Sequence, residues 1–109
     1  MELPVLILNA PVMTNDGCYT LETCSLKEAK ELISSAPGID SAVGHRATAD
    51  VMTKLLEIPI PVNRYEAKQK TGQTALIFSL NSRIEEGKVL SSEDINEIGY
   101  QLKILNKPL

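Results

Sequence analysis

Val5-Leu6-Ile7-Leu8, closed by Asn9-Ala10-Pro11, is the stretch from which the fold is read. Four consecutive apolar residues ended by turn formers predict a short central strand buried on both faces. Working outward, Asn15-Asp16-Gly17 supplies a turn before a strand over residues 18–23. Ser25 and Glu28 then stand at capping-box spacing, and Leu26, Ala29, Leu32 and Ile33 form the apolar stripe of a helix that Pro37-Gly38 stops. A second helix is expected from Gly44-His45-Arg46, because Thr48, Val51, Met52, Leu55 and Ile58 recur at helical spacing before Pro59. Residues 65–70 and 74–80 alternate around Thr71-Gly72 and read as a hairpin, with Leu76, Phe78 and Leu80 on one face. A polar stretch over 81–87 follows. Ser91 or Ser92 caps a short helix through Ile98, Gly99 ends it, and Tyr100, Leu102 and Ile104 alternate on a last strand. The order β-β-α-α-β-β-α-β predicts an α/β fold: one domain over residues 1–109, with helices packed against a mixed β-sheet.

The chain has 109 residues, of which 43% are hydrophobic and 23% charged, enough for one modest core. No apolar run approaches the length of a membrane span, and Met1-Glu2-Leu3-Pro4 lacks the positive start of a secretory signal. An intracellular protein without a membrane partner is therefore expected. A net charge of −3 with no cluster of Lys and Arg argues against gripping double-stranded nucleic acid along its phosphates. Two or three local cations still suffice for a small anion in a pocket. Cys18 and Cys24 lack zinc-site spacing, and an intervening strand would hold their α-carbons roughly 20 Å apart, so free thiols are expected.

The candidate chemistry is sparse and lies at element ends. His45, the one histidine, follows Gly44 at the first turn of the second helix. Helix N-termini offer free N–H groups and a positive dipole end that suit a phosphate, and glycine lets an anion approach the backbone. A histidine there also serves simply as a surface or capping residue. Arg83 and Glu86 sit in the polar stretch before Gly87. An arginine can fork onto phosphate and a carboxylate can orient it, although a solvated loop with a weak ion pair has the same sequence. Asn9, at the end of the central strand, and Arg64, after Asn63, complete the set, since ligands collect at strand ends in open sheets. No metal-binding constellation and no cofactor motif is present in the sequence.

Taken in order, Leu8-Asn9-Ala10, Gly44-His45-Arg46-Ala47-Thr48, Val62-Asn63-Arg64 and Ser82-Arg83-Ile84-Glu85-Glu86-Gly87-Lys88 resemble the viral anti-CRISPR ring nucleases that oppose type III systems. The likeness runs over nearly the whole chain. It implies a homodimer that binds cyclic tetra-adenylate and cuts it without metal or cofactor, in the cytoplasm of a cell infected by a virus of thermophilic archaea. It implies His45, Arg83 and Glu86 as catalytic residues, and Asn9, Gly44 and Arg64 as ligand-binding ones. The rival expectation is a dimer that sequesters the cyclic nucleotide, or regulates transcription, without turnover. Sequestration needs no acid, so the presence of His45, Arg83 and Glu86 together favours the enzyme.

Overall fold

Val5–Leu8 forms β1, and every one of its residues is buried. It lies inside a five-stranded sheet in the computed structural model, which describes residues 3–10, 13, 15–82 and 90–108. The other elements are β2 (Thr20–Cys24), α1 (Leu26–Ser35), β3 (Ile39–Ser41), α2 (Arg46–Leu56), β4 (Thr74–Leu80), α3 (Ser92–Ile98) and β5 (Tyr100–Asn106). The strand order is β2-β5-β4-β1-β3. β1 runs parallel to both β3 and β4, whereas β5 is antiparallel to β4 and β2, so the sheet is mixed as expected.

Alternation on the strands sorts the core into two layers. Val5, Ile7, Leu76, Phe78 and Leu102 face one side and pack against Ala29 of α1, Met52 of α2 and Ile95 of α3. Leu6, Leu8, Ala75, Ile77 and Leu105 face the other side, where no helix lies among the described residues, and pack with Ala67. Among the described residues all three helices thus cover one face, and extended chain covers part of the other.

The expected caps form. Ser25 and Glu28 close a capping box on α1, and Ser91, not Ser92, does the same with Asp94 on α3. Gly99 ends α3 at φ 81°, with the Asn81 amide so close that a Cβ would lie 2.6 Å from its nitrogen. Glu57 takes a left-handed conformation at the end of α2 and pairs with Lys30 of α1 at 3.1 Å, a surface contact worth little by itself.

The structure departs from expectation in three places. Residues 65–70 form no strand, so β4 pairs with β1 and β5 and not with a hairpin partner. The alternation there is real, because Ala67 and Gln69 are buried between exposed neighbours. It reports burial of an extended segment against the helix-free face, where the Gln69 amide donates to the carbonyls of Gln73 and Leu105. Conversely, β3 was not foreseen: Ile39-Asp40-Ser41 is too short to show a period, and it becomes a strand by pairing with β1. The second strand also starts later than expected, at Thr20, which leaves Cys18 outside it. Both cysteines are free.

Candidate functional site

The parallel strands β4, β1 and β3 all point their C-terminal ends the same way, and α2 begins at that end of the sheet. This is where an open α/β sheet offers a crevice. Here the crevice has a volume of about 350 Å³ and is lined by Asn9, His45, Thr48, Phe78, Ser79, Leu80 and Ser82. Asn9 follows the last residue of β1, His45 precedes α2, and Ser79 to Ser82 close β4. A larger hollow of about 630 Å³ lies along the outer side of α1, lined by Leu26, Lys27, Lys30, Glu31, Ser34 and Ser35. It follows a single helix and brings no polar groups together from different elements, so the strand-end crevice is the better candidate.

His45 is the N-cap of α2, with φ −120° and ψ 120°, and its side chain caps no backbone N–H. Ser, Thr, Asn and Asp are the usual residues here because their short side chains satisfy the first-turn donors. Among the described residues the first-turn N–H groups of α2 keep no such side-chain acceptor, a setting that favours an anion. The imidazole instead lies with Nδ1 3.4 Å from the Thr48 hydroxyl, one turn further along.

Gly44 and Arg64 are brought together as well. Residues 61–64 run beside the chain that leaves β3: Ser41 donates to the Pro61 carbonyl at 2.6 Å, and the Asn63 amide N–H to Val43 O at 2.8 Å. The Asn63 side chain donates to Ser41 O at 2.9 Å, and Arg64 Nε to Gly44 O at 2.6 Å. The arginine stem lies over Gly44 so closely that a Cβ there would stand 2.9 Å from Arg64 Cγ. The glycine is therefore required by the arginine's path, and the arginine is fixed one residue before His45.

Of the six site residues expected from sequence, Asn9 and His45 line the crevice, and Gly44 and Arg64 adjoin it through His45. Arg83 and Glu86 lie outside the described residues. Thr48, Ser79 and Ser82 were missed as site residues. Thr48 stands three residues after His45, a spacing that brings side chains together on a helix, but in sequence it reads as one of the positions that recur at helical spacing along α2. Nothing in the local pattern marks the two serines. No three His, Cys, Asp or Glu side chains among the described residues are grouped so as to hold a metal ion. Burial, and then the Glu28 carboxylate, push the Cys24 thiol above its usual value, which makes it a poor nucleophile. No helix among the described residues is long and apolar enough to cross a membrane.

Residues 5–102 match the model of the STIV B116-like family. Uncharacterised protein 26 of Sulfolobus islandicus filamentous virus is 40% identical over 79 residues, 72% of this chain and 66% of that protein. Uncharacterised protein YddF of Bacillus subtilis is 33% identical over 96% of this chain and 98% of its own length. ORF117 of Acidianus two-tailed virus is 32% identical over 92% of this chain and 87% of its own. The fold matches that of B116 of Sulfolobus turreted icosahedral virus with a TM-score of 0.80 at 24% identity, covering 94% of this chain and 98% of that one.

Proposed function

This chain belongs to the STIV B116-like family, and from that premise we propose that it is a metal-independent ring nuclease that binds and cleaves cyclic tetra-adenylate. The observation that carries the reading is the meeting of Asn9, His45 and the Gly44–Arg64 pair at the C-terminal ends of the parallel strands, beside a helix start with no side-chain cap. The ordered motif likeness supports the substrate.

The chemistry needs three things from the protein. The ribose 2′-hydroxyl must be held in line with the scissile phosphorus and the leaving 5′-oxygen, so that attack gives a 2′,3′-cyclic phosphate and a 5′-hydroxyl. Negative charge growing on the phosphoryl oxygens must be met by donors. The leaving oxygen must receive a proton. The crevice as a whole serves the first need, with Asn9 and Arg64 as binding groups. The α2 N-terminus and Arg83 serve the second. His45 serves the third. Glu86 orients Arg83 or His45. A homodimer is the natural unit, since two equivalent sites match two opposite phosphates of a four-fold ring.

In this reading the protein works in the cytoplasm of an infected cell and removes the signal that drives type III CRISPR defence. The test is incubation of the protein with cyclic tetra-adenylate and with linear RNA, each with and without excess EDTA. Cleavage of the ring that persists in EDTA is the expected result. Turnover that is lost in EDTA and restored by Mg²⁺ or Mn²⁺ overturns the metal-free mechanism. Tight binding with no cleavage at all favours the sequestering dimer.

A further inference from the structure

We propose that Asn63 is the positioning residue for Arg64, and that its side-chain amide decides where the guanidinium stands beside Gly44 and the start of α2. For its effect on the ligand the inference rests on the ring-binding reading above; for its structural content it rests on hydrogen bonds alone. β3 is the last strand of the sheet, so carbonyls on its outer side meet no further strand. Asn63 takes up two carbonyls along that edge. Its backbone N–H donates to Val43 O at 2.8 Å, and its side-chain Nδ2 donates to Ser41 O at 2.9 Å. The next residue, Arg64, donates from Nε to the next carbonyl, Gly44 O, at 2.6 Å.

The residue type matters. In extended chain the backbone repeats every two residues, so the carbonyls of Ser41 and Val43 present themselves on one side. Asparagine offers two donors from one residue, its backbone N–H and its amide, and so matches both. A single bond to Val43 would let the chain pivot about it; the second bond, to Ser41, stops the rotation. The approach is set further back, where the Ile60 N–H donates to Thr53 Oγ1 at 3.0 Å and Ser41 Oγ donates to Pro61 O at 2.6 Å. Those bonds return the chain toward the helix it has just left, and Asn63 then aims the residue that adjoins it. Arg64 is exposed, and a long exposed side chain keeps one path only where its backbone is held in register with its acceptor. An arginine held before the ligand arrives binds it more tightly, because the cost of ordering is already met.

The experiment joins an NMR signal of Arg64 to titration with cyclic tetra-adenylate. The chain has three arginines, so Arg64→Lys identifies the Nε–H signal that belongs to Arg64. In the parent that proton should exchange with water about tenfold more slowly than in free arginine. Asn63→Leu keeps the branched shape and removes the amide donor, and Asn63→Ala removes the side chain; at an exposed position neither disturbs the core. Both should bring the exchange close to that of free arginine. Both should also raise KM and the dissociation constant for the ring about three- to tenfold with kcat unchanged, as expected for a group that binds ground and transition states alike. In an Arg64→Ala background Asn63→Leu should cost almost no further affinity. An Arg64 proton that exchanges freely in the parent, or equally slowly in Asn63→Leu, overturns the inference whether or not the ring binds. An affinity loss that persists undiminished in the Arg64→Ala background overturns it as well, since Asn63 then acts by another route. The expected exchange behaviour with no binding of the ring overturns the ring-binding reading and leaves the positioning role supported.

Discussion

Arg64 donates from Nε to the carbonyl oxygen of Gly44 at 2.6 Å, and its stem occupies the space in which any side chain at position 44 would begin. The two residues are twenty apart in sequence, and they meet because residues 61–64 hydrogen-bond alongside the segment that follows β3. The pair ties an exposed cation to the residue that precedes the N-cap of α2. Sequence, local pairing and site geometry are therefore coupled at one contact.

Gly44→Ala tests that coupling. The backbone at Gly44 is not in the left-handed region, so alanine brings no conformational strain and removes some freedom from the unfolded chain. The cost falls on Arg64, which must swing away and lose its bond, a change of about 1 kcal/mol or less. Thermal stability should barely move, while affinity for cyclic tetra-adenylate falls several-fold. Made in an Arg64→Ala background, Gly44→Ala should add almost nothing. Additive losses in the double variant, measured by ligand titration, would show that the two residues act separately.

His45→Ala separates binding from chemistry. Its side chain makes one hydrogen bond among the described residues, to Thr48, so the fold should tolerate the loss. The variant should bind the ring nearly as well as the parent and cut it far more slowly, since a proton given to a leaving group acts only in the transition state. Arg83→Ala should weaken both, because a cation on phosphate helps ground and transition states alike. A parent-like single-turnover rate for His45→Ala removes histidine from the mechanism.

Much of this was legible in the sequence, for identifiable reasons. β1, the capping box of α1, a serine cap on α3 and the Gly99 stop depend on neighbours in the chain, and local signals carried them; the Ser91–Asp94 box appears only in the structure. β3 and the extended segment over 65–70 depend on what β1 and the helix-free face offer, which no local pattern states. The same division holds at the site. Asn9, Gly44 and His45 announce themselves as polar or glycine residues at element ends. Thr48 joins the crevice from the first turn of α2 beside His45, and Ser79 and Ser82 join it only because β4 ends there.

Tyr65 supplies a test of the packing on the sheet's β3 edge. Its hydroxyl donates to Asp40 Oδ2 at 2.6 Å, and partial burial, that hydrogen bond and the Asp40 charge, in that order, push its pKa from 10 up to about 12. A raised value favours the neutral phenol in the folded protein, so the folded state holds the proton longer than the unfolded chain. The contribution is fully present below pH 10 and is lost as pH rises from 10 through about 12. Tyr65 is 42% exposed, so solvent screening keeps the effect small. Tyr65→Phe should cost about 1 kcal/mol or less at neutral pH and flatten the decline of stability in the alkaline window. Denaturant titrations of both proteins across that window should give converging curves, and parallel ones overturn the assignment.

The helix-covered core gives a prediction independent of any function. Phe78 is 1% exposed, packs beside Tyr100 with ring centroids 5.8 Å apart, and belongs to the cluster that joins the sheet to all three helices. Phe78→Ala should cost about 3–5 kcal/mol, a large share of the stability of a domain this size. Phe78→Leu should cost clearly less, since volume is mostly kept. Chemical denaturation that finds the two variants equally stable would show that the cavity term is absent and the packing looser than described.

The proposed recognition of a ring draws its test from charge and symmetry together. A chain of net charge −3 with three tyrosines and one phenylalanine is poorly equipped to hold an extended strand by phosphate contacts and base stacking. Phe78 is spent in the core, and Tyr65 is engaged by Asp40, which leaves the aromatic supply thinner still. A closed ring presents its phosphates at fixed positions, so each crevice need hold only one of them, with the ordering cost already met by the ligand's own closure. Two copies related by a two-fold axis would line one shared pocket with Asn9, Gly44, His45, Arg64, Arg83 and Glu86 of each, one set to each of two opposite phosphates. Cyclic tetra-adenylate should therefore bind far more tightly than the linear tetramer, at one ring per two chains, and the protein should sediment as a dimer at the concentrations used. Titration of both ligands at known protein concentration decides the matter. One ring per single chain, or equal affinity for the linear form, means that each crevice works alone and that the shared pocket is wrong.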